Sequence, residues 1–318
     1  MGFVYTQSGA RLKEALTMEP TVSDAQGVQR GYAIAGTAMP APPLAPGLYV
    51  VATPIGNLRD ITVRALETLA AADLVLCEDT RHSATLLDHY GIRTPRKPLH
   101  EHNERARIDG VLDDLRRGAR LALISDAGTP LLSDPGFPLV RAAREADLPV
   151  FAVPGASALL AALATAGLPT DSFAFLGFLP PKAAARATAI AALAQRPETL
   201  IFYESPRRLA AALAALAEGL GDREAVVMLE LTKRFERQQR GTLSELAESF
   251  GGAETKGEAV IVVAGADPAA PASAEEWQAA LAEALAGQPL RSAVDAVSTR
   301  FGIKRKEVYD AALALKRD

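Results

Sequence analysis

The chain has 318 residues, 49% hydrophobic and 23% charged, the balance of a globular protein long enough for more than one packed core. Its net charge of −4 excludes a protein that coats nucleic acid indiscriminately, but leaves room for a local basic patch. A single cysteine, Cys77, excludes an internal disulfide or a thiolate zinc cluster and suits a reducing cytoplasm.

Residues 1–46 mix small and polar residues and end in a run rich in proline (Pro40, Pro42, Pro43, Pro46). No apolar period is sustained there, so the segment reads as a disordered leader, with Met18 or Met39 as alternative starts. It holds no basic stretch followed by an apolar core, so no signal peptide is read. The longest apolar stretch, Leu159 to Leu168, stops at Pro169, too short to cross a bilayer. The expectation is a cytoplasmic protein without a membrane segment.

From Gly47 the pattern changes. Leu48 to Ala52 is an apolar run between Gly47 and Pro54, the mark of a buried strand. A helix is expected from Asp60 to Ala72 with Asp60 as its cap, a strand at 74–77 and a helix at 83–90. A helix near 104–117, a strand at 120–124, a helix near 136–145 and a strand at 149–153 complete a first unit, 47–155. Strands alternating with helices argue for a largely parallel sheet covered on both faces.

After Pro154-Gly155 a helix at 157–166 opens a second unit, 156–266, with strands at 173–178, 199–203, 225–229 and 259–264. The alanine-rich stretches 183–194 and 209–217 are its helices. A proline-bearing linker at 267–274 leads to three helical segments within 274–318, with the proportions of a helix-turn-helix unit. Residues 291–318 carry seven Lys/Arg against four Asp/Glu, a basic end on an acidic chain. It reads either as a solvated cap or as an RNA contact.

Ligands of open α/β sheets bind beyond the carboxyl ends of the strands. Four such ends are unusual here: Thr53 to Leu58, Glu78 to Arg81, Ser125 to Gly136, and Pro154 to Ser157. The first has only Gly56, so it matches neither the glycine-rich dinucleotide motif nor a Walker loop, but Glu78 or Asp79 at the end of the next strand, where ribose-binding acids sit, keeps an NAD-type reading open. The third holds two Asp among several Gly and Pro, a rigid loop that can present amides and carboxylates to a ligand at low entropic cost. All four histidines fall between 82 and 102, but none is paired at metal-ligand spacing, so no metal is expected. The second unit adds charged clusters at Tyr203 to Arg208, Glu230 to Lys233 and Lys256 to Glu258, and together they suggest a cleft between two sheets.

The ordered set Thr53-Pro-Ile-Gly-Asn, Glu78-Asp-Thr-Arg, His100-Glu-His-Asn-Glu, Ser125-Asp-Ala-Gly-Thr-Pro, Pro154-Gly-Ala-Ser, Tyr203-Glu-Ser-Pro-Arg, Glu230-Leu-Thr-Lys and Lys256-Gly-Glu resembles the tetrapyrrole methylases. Within that superfamily it is similar to the ribosomal RNA small subunit methyltransferase I family. The resemblance covers 47–266, and the last helices resemble that family's helix-turn-helix appendage. It implies a two-domain α/β tetrapyrrole-methylase fold enclosing S-adenosylmethionine, a homodimer, and 2′-O-methylation of a cytidine ribose in small-subunit (16S) RNA, free or in the 30S subunit. It places Ile55, Asp126, Gly128, Thr129, Ser157, Ala158, Tyr203, Leu231 and Glu258 against the cofactor.

A ribose hydroxyl is barely ionised at neutral pH, so a base has to take its proton. Glu78, Asp79, His100 and Lys233 are the candidates, the lysine only with a lowered pKa. Arg81, Lys182, Arg207 and Arg208 are candidates to hold RNA phosphates. The competing readings are a methyltransferase for a tetrapyrrole or other small molecule, and a non-catalytic RNA-binding module that has kept the fold.

Overall fold

The computed structural model describes residues 30–101, 103–251, 257–267, 274–301 and 303–315. His102, Lys256, the first part of the expected leader and most of the expected linker lie outside the described residues.

The expectation of a disordered leader fails from Arg30 onward. Strands β1 (Gly31–Ile34) and β2 (Thr37–Pro40) form an antiparallel hairpin. Tyr32 and Ala41 are buried in the first unit's core, and Ala33 N–H donates to Tyr90 O at 2.7 Å. Arg30 donates to Ala71 O (2.7 Å), Ala72 O (3.0 Å) and Asp73 Oδ1 (3.0 Å). Sequence missed the hairpin because β2 is exposed throughout and shows no apolar alternation.

Asp73 also receives Arg120, at 2.6 and 2.9 Å. Burial alone raises its pKa, but the hydrogen bonds from Arg120 and Arg30 outweigh this and bring it down to about 2. Its stabilisation is therefore complete above the unfolded value near 4 and is lost as pH falls through about 2. Asp73→Asn is expected to cost about 1–2 kcal/mol at pH 7, solvent at the partly exposed carboxylate being allowed for. The loss should vanish near pH 2, as denaturant midpoints at the two pH values would show.

The first sheet runs β5-β4-β6-β3-β7 and is parallel throughout, as expected. Its strands are β3 (Gly47–Val51), β4 (Leu74–Cys77), β5 (Arg96–Pro98), β6 (Arg120–Leu123) and β7 (Val150–Val153). Alternation along each strand sends side chains to opposite faces. Tyr49, Val51, Val75, Cys77 and Ala122 pack with helices α1 (Val63–Ala71) and α2 (Thr80–His89). Leu48, Leu76, Leu121 and Leu123 pack with α3 (Glu104–Arg116) and α4 (Phe137–Glu145). The cap of α1 is Thr62 rather than Asp60, its hydroxyl accepting from Ala65 N–H at 3.1 Å.

The second sheet runs β11-β10-β12-β9-β8, from β8 (Phe173–Phe178), β9 (Thr199–Glu204), β10 (Glu224–Leu229), β11 (Arg237–Thr242) and β12 (Ala259–Val263). Only β8 and β9 pair in parallel; the other pairings are antiparallel. Leu200, Phe202, Val227 and Ile261 face α7 (Leu209–Leu220) and α8 (Leu243–Phe250). Ile201, Val226, Met228 and Val260 face α5 (Ala158–Thr165). The chain thus leaves the first sheet at β7 and lays its next helix on the second sheet, holding Pro154 to Ser157 between them. Helix α6 (Ala183–Ala191) follows β8.

At the end, α9 (Ala274–Gly287), α10 (Leu290–Phe301) and α11 (Arg305–Leu315) share a separate small core of Trp277, Leu281, Val294, Val297 and Val308. No helix among the described residues is long and apolar enough to cross a membrane.

Candidate functional site

Strands β6, β3 and β7 are neighbours, and all three end on the same side because they are parallel. Their following loops therefore meet. Thr53 and Gly128 exchange backbone hydrogen bonds of 2.8 and 3.0 Å, joining the loop after β3 to the loop after β6. Gly128 stands at φ +76°, a conformation side chains rarely take, with Ile55 against it. Ser157 caps α5, its hydroxyl accepting from Leu160 N–H at 3.4 Å.

The second sheet supplies the opposite wall. Antiparallel pairing sets Glu204 and Leu229 beside Ala259, so the ends of β9 and β10 and the start of β12 share one edge. Tyr203 lies there, its hydroxyl accepting from Leu159 N–H at 3.1 Å. Phe178 packs edge-on against Tyr203, with ring centroids 5.9 Å apart. Together the walls enclose a cavity of about 410 Å³.

All nine residues assigned by resemblance to a cofactor line this cavity: Ile55, Asp126, Gly128, Thr129, Ser157 and Ala158 from the first half, and Tyr203, Leu231 and Glu258 from the second. Its size is within the range of small-molecule sites. Among the described residues it presents apolar surface (Ile55, Leu132, Met228, Leu231), hydroxyls and carboxylates, and no lysine or arginine. Such a wall suits a cationic ligand with an apolar body and disfavours one carrying phosphates. The residues therefore fit S-adenosylmethionine, and they fit a nicotinamide dinucleotide poorly.

Residues 47–247 match the model of the tetrapyrrole (corrin/porphyrin) methylases, and 271–316 match that of the RsmI C-terminal HTH domain. Ribosomal RNA small subunit methyltransferase I of Mesorhizobium japonicum is 50% identical, over 88% of this chain and 96% of that protein. The chain belongs to that family of tetrapyrrole methylases.

The Haemophilus influenzae member is 44% identical over 84% of this chain and 96% of its own length. Among solved structures, the methyltransferase CobJ superposes with a TM-score of 0.53 at 18% identity, over 69% of this chain and 94% of CobJ. Uroporphyrin-III C-methyltransferase of Thermus thermophilus complexed with S-adenosylhomocysteine gives 0.50 at 22% identity, over 69% and 97%. These two speak for the fold alone. The chain is accordingly an α/β methyltransferase with the tetrapyrrole-methylase fold and a C-terminal helix-turn-helix unit.

None of the four candidate bases lines the cavity. Asp79 caps α2, accepting from Arg81 N–H at 2.8 Å and pairing with the Arg81 guanidinium at 3.0 Å. Glu78, next to it, is half-buried; burial and then the neighbouring Asp126 carboxylate raise its pKa, and His100 offsets part of this. Asn103 holds His100, its side chain accepting from His100 N–H at 3.0 Å.

Lys233 sits between Glu230 (2.9 Å) and Glu258 (3.2 Å), with its stem where a side chain at Gly56 would stand. Burial lowers its pKa, but these carboxylates prevail and raise it, the opposite of what a lysine base needs. Its place ties the second sheet's edge to the loop after β3.

The four phosphate candidates also lie outside the cavity. Arg81, Lys182 and Arg207 are exposed. Arg208 donates to Leu179 O at 2.7 Å and Pro180 O at 3.3 Å and pairs with buried Glu204 at 3.3 Å, so it holds the turn after β8.

Sequence reasoning passed over Asp134, Leu132 and Phe178, which line the cavity. For Asp134 the signal was there, as the second Asp of the loop Ser125 to Gly136. For Phe178 there was none, because a phenylalanine ending an apolar strand reads as core.

Proposed function

We propose that this chain methylates the 2′-hydroxyl of a cytidine ribose in small-subunit ribosomal RNA, acting as a cytoplasmic homodimer. The observation that carries the reading is the likeness to ribosomal RNA small subunit methyltransferases over nearly the full length of those relatives, C-terminal helices included. The methyl donor is S-adenosylmethionine, which supplies a methyl group already activated on a sulfonium, so the protein's task is mainly orientation and proton removal.

The chain's own residues divide that task. Asp126 and Glu258 give the cavity a negative potential that suits the donor's positive charge. Thr129 and Ser157 present hydroxyls, and Ile55, Met228 and Leu231 present apolar surface that excludes water. Lys182 and Arg207 are exposed after strands β8 and β9 and can meet RNA phosphates, and exposed Arg81 can do so on leaving its pair with Asp79. The chain's last stretch, residues 291–318, with seven Lys/Arg against four Asp/Glu, offers RNA a second set of cations.

The test is methyl transfer from labelled S-adenosylmethionine to small ribosomal subunits that lack the modification, followed by nucleoside analysis. Labelled 2′-O-methylcytidine is the expected product. Cofactor binding with label appearing only on a small molecule, or on no acceptor, would remove the RNA assignment. Light scattering of the purified protein should return twice the chain mass.

A further inference from the structure

We propose that Asp134 is the general base, accepting the proton of the ribose hydroxyl as that oxygen is methylated; the inference rests on the function proposed above. The base has to reach a proton inside the site, so it belongs among the groups that line the cavity. Five titratable side chains do so among the described residues: Asp126, Asp134, Tyr203, Glu204 and Glu258.

Four of these are committed elsewhere. Glu204 is buried against Arg208, and its Oε1 accepts from Ser205 N–H at 2.8 Å. Glu258 is largely exposed and pairs with Lys233 at 3.2 Å. The Tyr203 hydroxyl accepts from Leu159 N–H, and burial raises its pKa above the ordinary phenol value, so it stays protonated. Asp126 Oδ1 accepts from Asp79 N–H at 3.2 Å and joins the loop after β6 to the cap of α2.

Asp134 remains. It is half-buried and follows Ser133, whose φ of +69° marks a backbone held in a sparsely populated conformation, as presented functional groups often are. The groups around it are Ser125, Glu78 at the end of β4, Asp126 in its own loop and Tyr203 on β9. Burial, then the Glu78 and Asp126 carboxylates, raise its pKa to about 6, with Ser125 offsetting part of the rise. A base of that strength is mostly ionised at neutral pH and still takes a proton readily. In the step itself the carbon–oxygen bond forms as the carbon–sulfur bond breaks. The sulfur keeps the electron pair as a neutral thioether, and the hydroxyl proton moves to an Asp134 carboxylate oxygen.

Asp134→Asn keeps the shape and removes the base. Single-turnover methylation of small subunits should slow by about 10²–10⁴-fold. The wild-type rate should rise tenfold per pH unit up to about pH 6 and then level, and the variant should lack that limb. Asp134→Glu should restore part of the rate.

Two readouts do not depend on turnover. Calorimetry should give S-adenosylhomocysteine affinities within threefold of wild type for Asp134→Asn. Its melting temperature should exceed wild type at pH 8 and equal it near pH 4, because burial penalises only the ionised carboxylate. The assignment is overturned if wild type labels RNA and Asp134→Asn does so within threefold. It is equally overturned if the pH limb survives in the variant, or if cofactor affinity falls in step with rate. If wild type labels no RNA, the functional reading has failed first and the base assignment falls with it.

Discussion

Gly265→Ala is expected to lower the unfolding free energy by about 2–6 kcal/mol. Gly265 follows β12, where the last strand meets the turn before β9. A Cβ there would overlap Pro197 O and come within 3.0 Å of Glu198 O, both backbone atoms that cannot rotate away. Relief requires a shift of one of the two segments. The hydrogen bonds Ala264 N–H to Glu224 O (2.9 Å) and Ala266 N–H to Arg196 O (2.7 Å) fasten the strand end on either side, so a shift strains or breaks them.

Overpacking costs about 1–3 kcal/mol and each lost hydrogen bond about 0.5–1.5 kcal/mol, which sets the range. Gly287→Ala is the control, because a Cβ at the end of α9 meets nothing within 4 Å. Alanine favours helix over glycine, so that variant should unfold at the same denaturant concentration or slightly above. Equal midpoints for the two variants would show that the close approach at Gly265 relaxes without cost.

Most of the scaffold was legible because its buried strands are short apolar runs bounded by glycine and proline. The strand at 173–178 was read to the residue, and the helices between the strands mostly within a few positions. What escaped lacks an apolar face. Strand β11, Arg237–Thr242, reads Arg-Gln-Gln-Arg-Gly-Thr and is exposed over its first four residues, so its place in the sheet comes from backbone pairing with β10 and from polar contacts such as Arg240 with Glu224 and Gln239 with Ser249, not from an apolar face. Helix α8 and strand β5 were passed over as well. Antiparallel pairing in the second sheet also goes beyond what alternation can show, since register depends on partners distant in sequence.

The site divides in the same way. The nine cavity residues came from motif order. The chemistry of single side chains did not, because it depends on what the fold brings near them. Lys233 reads as a lysine beside a threonine, and only the structure sets Glu230 and Glu258 about it. Asp79 reads as an acid at a strand end, and the structure gives its carboxylate to a helix cap and to Arg81. Asp134 and Glu78 lie far apart in sequence, and folding is what brings the Glu78 carboxylate near enough to raise the pKa of Asp134.

Gly128→Val is expected to weaken S-adenosylhomocysteine binding by at least about 100-fold, as calorimetry would show. Gly128 closes the contact between the two loops that build the cavity's first wall, and its φ of +76° is strained for any L side chain. A β-branched residue is a genuine outlier there, and holding it costs on the order of 1–3 kcal/mol. Its Cβ would lie 3.2 Å from Ile55 Cγ2, so Ile55 has to move as well. The chain has two responses. Keeping the Thr53–Gly128 pairing drives the new side chain and Ile55 into the 410 Å³ space. Releasing it lets the loop that carries Asp126, Thr129 and Asp134 drift from the opposite wall. Either response removes the preformed cradle, and each tenfold loss of affinity corresponds to about 1.4 kcal/mol. Gly36→Val separates strain from site, since Gly36 has φ +80°, meets nothing within 4 Å and lies in the hairpin turn. It should lower stability and leave affinity unchanged. Gly128→Val binding within threefold of wild type would mean that the cofactor does not rest on this loop, which would count against the whole cavity assignment.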